Sequence, residues 1–348
     1  MLFVASCGSE GSSSPLSRPI PTEPTASSAS PDTTDQPAES VAESTSPPAS
    51  STSQPPAADQ RFDVSLELLA GSIDAGPNDV FILHADGDLY WHRNILAGDS
   101  TDSVRLADFG DPRSPVSEGP GPNSVDHVAG VVNGSLIYGD CCEPISGNLL
   151  AATGADSERI VLGAGYSPSL SPNQRLLATA NDYAIVVIDI AGREGEGLTV
   201  NQDGNSYRNV TDVTWASDDR LVVLFWDDSG YQLLPIDVTP MRSGRPVPIG
   251  TAFDPGAFGS VRFAGTSATG ELAIATSQVD STRVRFFDPV TLTETEELER
   301  DLPAQSTSVR IDQTGQRLLY INNGKLIYDN GETLHEIGDN YLAAWFAT

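Results

Sequence analysis

Residues 167–192 read SPSLSPNQRLLATANDYAIVVIDIAG, and the order of residue types in this stretch decides the fold. A short apolar segment ends at the polar turn Ser171 to Gln174. Arg175 then opens a second apolar run, and a third run closes on Ile188 and Asp189. Runs this short, bounded by turn residues, signal strands rather than helices. The order returns as TDVTWASDDRLVVLF from Thr211, SVRFAGTSATGELAIAT from Ser260 and TSVRIDQTGQRLLYI from Thr307. Arg175, Arg220, Glu271 and Arg317 fall at equivalent places, 45, 51 and 46 residues apart. A second landmark follows in each unit, where an apolar or aromatic residue precedes Asp: Ile188 with Asp189, Ile236 with Asp237, Phe287 with Asp288, Tyr328 with Asp329.

Working outward, two degenerate units keep only the third strand, as GDLYWH from Gly87 and GNLLAAT from Gly147. A repeat of this length with four short strands is a propeller blade, because strand alternation buries both faces between neighbours. The chain is therefore expected to be all-β: a β-propeller of six blades, each of four antiparallel strands. The terminal segment YLAAWF, with Tyr341 and Trp345, is an inner strand without a blade of its own. It is expected to complete the blade that holds Val80 to Leu106. FDVSLELLA from Phe62 has no assigned place, which leaves seven blades open. Asp86-Gly87, Asn133-Gly134 and Asn323-Gly324 each separate two apolar runs and predict type I′ hairpins. That register sets His84 opposite Leu89 and His92 opposite Phe81, so the two histidines are not direct neighbours.

The unit from Ser167 resembles the WD40-like (PD40) repeat of TolB-type six-bladed propellers, whose repeats carry an SPS, a turn of the SPDG kind and an apolar strand ending in Asp. The resemblance is good in the third repeat, fair in the fourth and sixth, and covers about residues 79–346. Asn173-Gln174 stands where that family prefers Asp-Gly. What the resemblance implies is an extracytoplasmic protein-interaction scaffold, and propellers host many functions.

The amino terminus, MLFVASC, matches a bacterial lipobox at Val4, Ala5, Ser6 and Cys7. Small residues before the cysteine suit signal-peptidase cleavage, and lipid on the Cys7 thiol and amino group would anchor the chain. Only six residues precede Cys7, so residues 1–7 read as a truncated lipoprotein signal whose true start lies upstream. Residues 8–60 hold 14 Ser, 6 Thr and 10 Pro with no aromatic residue, a composition expected to stay disordered as a linker. Fifty-three residues reach about 40 Å as a coil. The propeller is expected to occupy residues 61–348. The two remaining cysteines, Cys141 and Cys142, are adjacent. In an oxidising compartment they are expected to form a vicinal disulfide, either as a pinched structural turn or as a ligand-contacting or redox-sensing loop.

The formal charge is −29, of which residues 1–60 carry −6, so nucleic acid and anionic lipid are repelled by the folded part. No GxSxG nucleophile elbow and no HxxxH or HExxH pair occurs. Asp126, Asp212 and Asn340 precede inner strands and are expected to make ligand contacts if they converge at one channel mouth. The leading expectation is a monomeric, lipid-anchored, extracytoplasmic module without enzymatic activity or cofactor, binding an envelope protein, a peptide or a cell-wall component. The alternatives are a calcium-dependent, lactonase-like hydrolase using channel carboxylates, and an accessory sensor for a membrane signalling kinase.

Overall fold

A computed structural model describes residues 60–61 and 69–347, except 99–101, 108–123, 142–146, 182–183, 191–193, 199–200, 203–204, 207–209, 228–229, most of 239–259, 268, 279 and 296–299. Six antiparallel sheets form the blades of one propeller. Blade 1 pairs Tyr341–Phe346, Val80–His84, Leu89–His92 and Ser103–Ala107 from the axis outward. The inner strands of blades 2 to 6 are Ser124–Val132, Tyr166–Leu170, Val210–Ser217, Ser260–Thr266 and Ser306–Ile311. Val80 faces Phe346 and Ile82 faces Ala344, so the carboxyl-terminal strand closes the ring on blade 1 as its orphan apolar pattern predicted.

Period-2 alternation explains the packing. Val80 and Ile82 join Leu319 and Ile321 of blade 6, while Phe81 and Leu83 join Leu136 and Tyr138 of blade 2. Buried clusters of this kind fill the other four interfaces as well. The second strand of each blade thus buries both faces, which is why its sequence reads as a nearly continuous apolar run, while the outer strands stay polar and partly exposed.

Both repeat landmarks are turn devices. Between inner and second strands, a Ser or Asp oxygen accepts a backbone N–H from further along the turn: Leu176 donates to Ser171 Oγ at 2.9 Å, Glu271 to Ser267 Oγ at 3.1 Å and Arg317 to Asp312 Oδ1 at 3.1 Å. The Asp that ends the third strand does the same for the next turn, as Asp288 Oδ1 accepts from Val290 at 2.9 Å and Asp329 Oδ1 from Gly331 at 2.8 Å. Such side chains compete with ladder bonding and so end strands. Glu271 and Asp288 stand side by side across the strands of blade 5. Ser267 and Thr269 hydroxyls hold Glu271, and the Thr291 backbone holds Asp288, each below the usual carboxylate range. Gln174 occupies φ 55 where blades 5 and 6 place Gly270 and Gly315, so the departure from Asp-Gly sets a side chain in a left-handed turn position.

Two hairpins match their predicted type: Asn133 and Asn323 sit at φ 49 and 52, each followed by a positive-φ glycine. The third does not. In the Asp86-Gly87 loop only Gly87 has positive φ, and the His84 N–H donates to Asp88 O at 3.0 Å, closing a three-residue loop. The register therefore slips by one: Leu83, not His84, opposes Leu89, and Val80, not Phe81, opposes His92. A one-residue slip turns side chains to the other face. His84 and His92 consequently meet, Nε2 to Nε2, at 3.1 Å.

Of FDVSLELLA, residues 62–68 lie outside the described residues. Leu69 is buried against blades 2 and 3, and the segment after it is stitched to the turns of blade 2. Gly71 and Ile73 donate to Asn133 O and Gly134 O at 3.0 and 2.9 Å, and Ser72 donates to Thr153 O at 2.8 Å. A Cβ on Gly71 would lie 1.8 Å from Gly134 O, so only glycine permits this approach. Gln60–Arg61 pairs with the outer strand of blade 3 opposite Gly195 and Glu194. Among the described residues the ring is complete with six blades.

Candidate binding site in the channel

Every inner strand carries a register shift, at Val125/His127, Val210/Asp212, Phe263/Gly265 and Thr307/Arg310, and in blades 3 and 1 opposite Ala178/Ala180 and Leu83/His84 of the neighbouring strand. Bulges re-aim side chains and so decide what faces the axis. The inner strands of all six blades line a cavity of about 370 Å³, open on one side, whose lining includes His127, Ser169, Trp215, Phe263, Arg310 and Trp345. Gly265, at φ 144, belongs to this wall, and a Cβ there would meet Ile311 Cγ2 at 2.7 Å.

The cavity wall is tied together from blade to blade. Trp215 Nε1 donates to Ser169 O at 2.9 Å, Thr266 Oγ1 to Trp215 O at 3.2 Å, and Arg310 Nη1 to Phe263 O at 3.4 Å. Arg310 Nη2 lies 3.3 Å from His127 Nδ1. Guanidinium only donates, so Nδ1 accepts and the His127 proton sits on Nε2. Burial drives the His127 pKa well below the ordinary value, and Arg310 and Arg262 push it the same way, so the ring is neutral. Arg310 is 5.9 Å from the Trp345 ring, within range of a cation–π contact. The buried indole N–H of Trp345 meets no acceptor among the described residues. Within a chain of formal charge −29, the described cavity lining contains no carboxylate.

The residues singled out from sequence lie elsewhere or outside the described residues. Asp212 is 1% exposed. Its Oδ1 accepts from Val213 N and its Oδ2 from Phe263 N, both at 2.9 Å, so it bridges the inner strands of blades 4 and 5. Replacing Asp212 with Ala is expected to cost about 2–4 kcal/mol by leaving two buried N–H groups without acceptors, read as a lower urea midpoint at unchanged slope. An unchanged midpoint would contradict this bridging role. Asn340, exposed at φ 63, forms the link from blade 6 to the closing strand, where its carbonyl accepts from Ala85 N at 2.9 Å. Neither residue lines the cavity. Asp126 belongs to the inner strand of blade 2 and Cys141 ends the next strand, but their side chains, like Cys7 and Cys142, lie outside the described residues. Among the described residues no group of three or more His, Cys, Asp or Glu gathers in a metal-binding arrangement. Sequence reading missed Arg262 and Arg310. Their signal was a charge at the same place in SVRF and SVRI, where an inner strand otherwise reads apolar.

Fold and cavity together define a six-bladed β-propeller with an open-mouthed cavity lined by its inner strands. No protein-family model matches the chain, and no curated protein is similar to it in sequence. Among solved structures it is similar to a chain of the nidogen/laminin complex (TM-score 0.50, 11% identity, covering 76% of this chain and 97% of that one). It is also similar to TolB from Acinetobacter baumannii (TM-score 0.49, 12% identity, 76% of this chain and 63% of that one). The β-propeller domain of Myceliophteria thermophila Cps50 (Swd1) follows, with a TM-score of 0.39 at 14% identity over 62% of this chain and 74% of that one. At these identities the likeness is one of fold.

Proposed function

We propose that this protein is a non-enzymatic binding module held outside the cell membrane by lipid on Cys7, with residues 8–60 as its tether. Its channel site takes an acceptor-bearing segment of an envelope protein or a cell-wall component. The observation that supports this reading is the make-up of the cavity: the Arg310 guanidinium, hydroxyl and amide side chains and aromatic walls, with no carboxylate among the described lining. Such a wall offers donors and apolar area to a ligand, which is how binding pockets achieve orientation. In the same reading, Cys141 and Cys142 are joined as a vicinal disulfide, suited to an oxidising compartment.

The test is a pull-down from envelope extracts with the full chain, compared with Arg310→Ala and with Gln313→Trp, which fills the exposed cavity rim. Both variants are expected to lose the captured species about tenfold while keeping the far-UV spectrum, one hydrogen-bonded charge being worth about 1.5–3 kcal/mol. Equal capture by wild type and both variants would remove the channel from the binding site.

A further inference from the structure

The closing blade brings together two imidazoles that the channel does not use. His84 ends its second strand and His92 its third. Their Nε2 atoms are 3.1 Å apart, with rings within 15° of parallel and centroids 5.3 Å apart. Tyr90 stands 4.3 Å from the His84 ring and Tyr341 4.9 Å from it, forming aromatic walls. Both histidines are half-buried and reachable from solvent, and Asp86 and Asp88 act on His84 electrostatically.

We propose that His84 and His92 form a two-imidazole site for a divalent transition-metal ion of borderline softness, with zinc as its representative. Two nitrogens bound to tetrahedral zinc at about 2.0–2.1 Å stand about 3.3 Å apart, close to the observed separation, and each ring, now aimed head-on at the other, swings by roughly 35° for its lone pair to converge on one ion. Without metal, the two Nε2 atoms share one hydrogen between a donor ring and an acceptor ring. Metal binding replaces that hydrogen: the donor ring's proton moves to its own Nδ1, both Nε2 lone pairs go to the ion, and no electron is transferred. Waters complete the coordination shell. Imidazole nitrogen selects zinc, copper and nickel over calcium and magnesium, which prefer oxygen ligands. The charge of −29 raises the local cation concentration. Tyr341 of the closing strand packs against both rings, so an ion here tightens the seam of the ring.

The test uses the untagged full chain and zinc chloride near neutral pH, read by calorimetry and by thermal melting. One ion is expected to bind saturably per chain and raise the melting temperature, and excess calcium is expected not to displace it. His84→Gln and His92→Gln are each expected to weaken binding at least about tenfold, because loss of a ligand costs no less than loss of its hydrogen-bonding partner. His335→Gln, an exposed histidine on blade 6 bonded to the Thr333 hydroxyl, is expected to bind zinc as wild type does. Nitrogen NMR of the wild-type chain gives an independent reading, since only two of its four histidines should shift with zinc. Absence of saturable binding, unchanged affinity in both pair variants, or shifts confined to His127 and His335 would overturn the proposal.

Discussion

A chain ending at Asn340 is expected to lose cooperative folding. The strand it lacks, Tyr341–Phe346, pairs with Val80–His84 along the whole length of that strand and supplies core to two interfaces at once. Trp345 is 3% exposed in the cluster between blades 1 and 2, while Ala344 and Phe346, at 0% and 9%, lie between blades 6 and 1. Burying Trp345 and Phe346 alone contributes on the order of 3–6 kcal/mol, against total stabilities of about 5–15 kcal/mol. The ladder hydrogen bonds of Val80–His84 would also face water along one edge, an open template for aggregation. Urea titration followed by tryptophan fluorescence should show a broad, shallow change in place of a sigmoid. A sigmoid with the wild-type midpoint would contradict the closure argument.

Asp79→Ala is expected to lower stability by about 4 kcal/mol, near the upper end for single substitutions. The carboxylate is 5% exposed and serves three donors: Trp91 Nε1 at 3.0 Å and Gly76 N at 2.8 Å on Oδ2, and Asn94 N at 2.7 Å on Oδ1. Alanine leaves all three without their acceptor, at about 1–3 kcal/mol for each that stays buried. Asp79→Asn should recover only part of the loss, since one of its two terminal atoms donates. The measurement is the chemical-denaturation midpoint, with Trp91 emission reporting the lost indole bond. A shift below about 1 kcal/mol would show that the loop through Asn94 draws its acceptors from elsewhere.

The blade pattern was legible because the same order of turn residues recurs in blades 3 to 6, and the turn chemistry behind it, seen in full in blades 5 and 6, is local. Ring closure was legible as well, since YLAAWF is too apolar to lie exposed and had no blade of its own. Register near His84 was not: Asp86-Gly87 suits both a two-residue type I′ turn and a three-residue loop ending in a left-handed glycine, and sequence does not separate them. The channel residues were hidden for another reason. Which side chain of an inner strand faces the axis depends on its bulge, and a bulge leaves no fixed mark in the residues around it. Asp212 shows the same limit, since a carboxylate before an inner strand reads as a ligand until its two backbone donors are seen.

The approach of the chain to its first blade has a mechanical consequence. A pull arriving from the amino-terminal side meets residues 60–61 on the rim of blade 3, then the stitches of Gly71–Ile73 on blade 2, before it reaches Val80–His84. Tension is thereby divided over blades 2 and 3, neither of which pairs its strands with the closing strand. The two-residue rim pair is expected to give way first under such a load, which delays the strain on the seam at the closing strand.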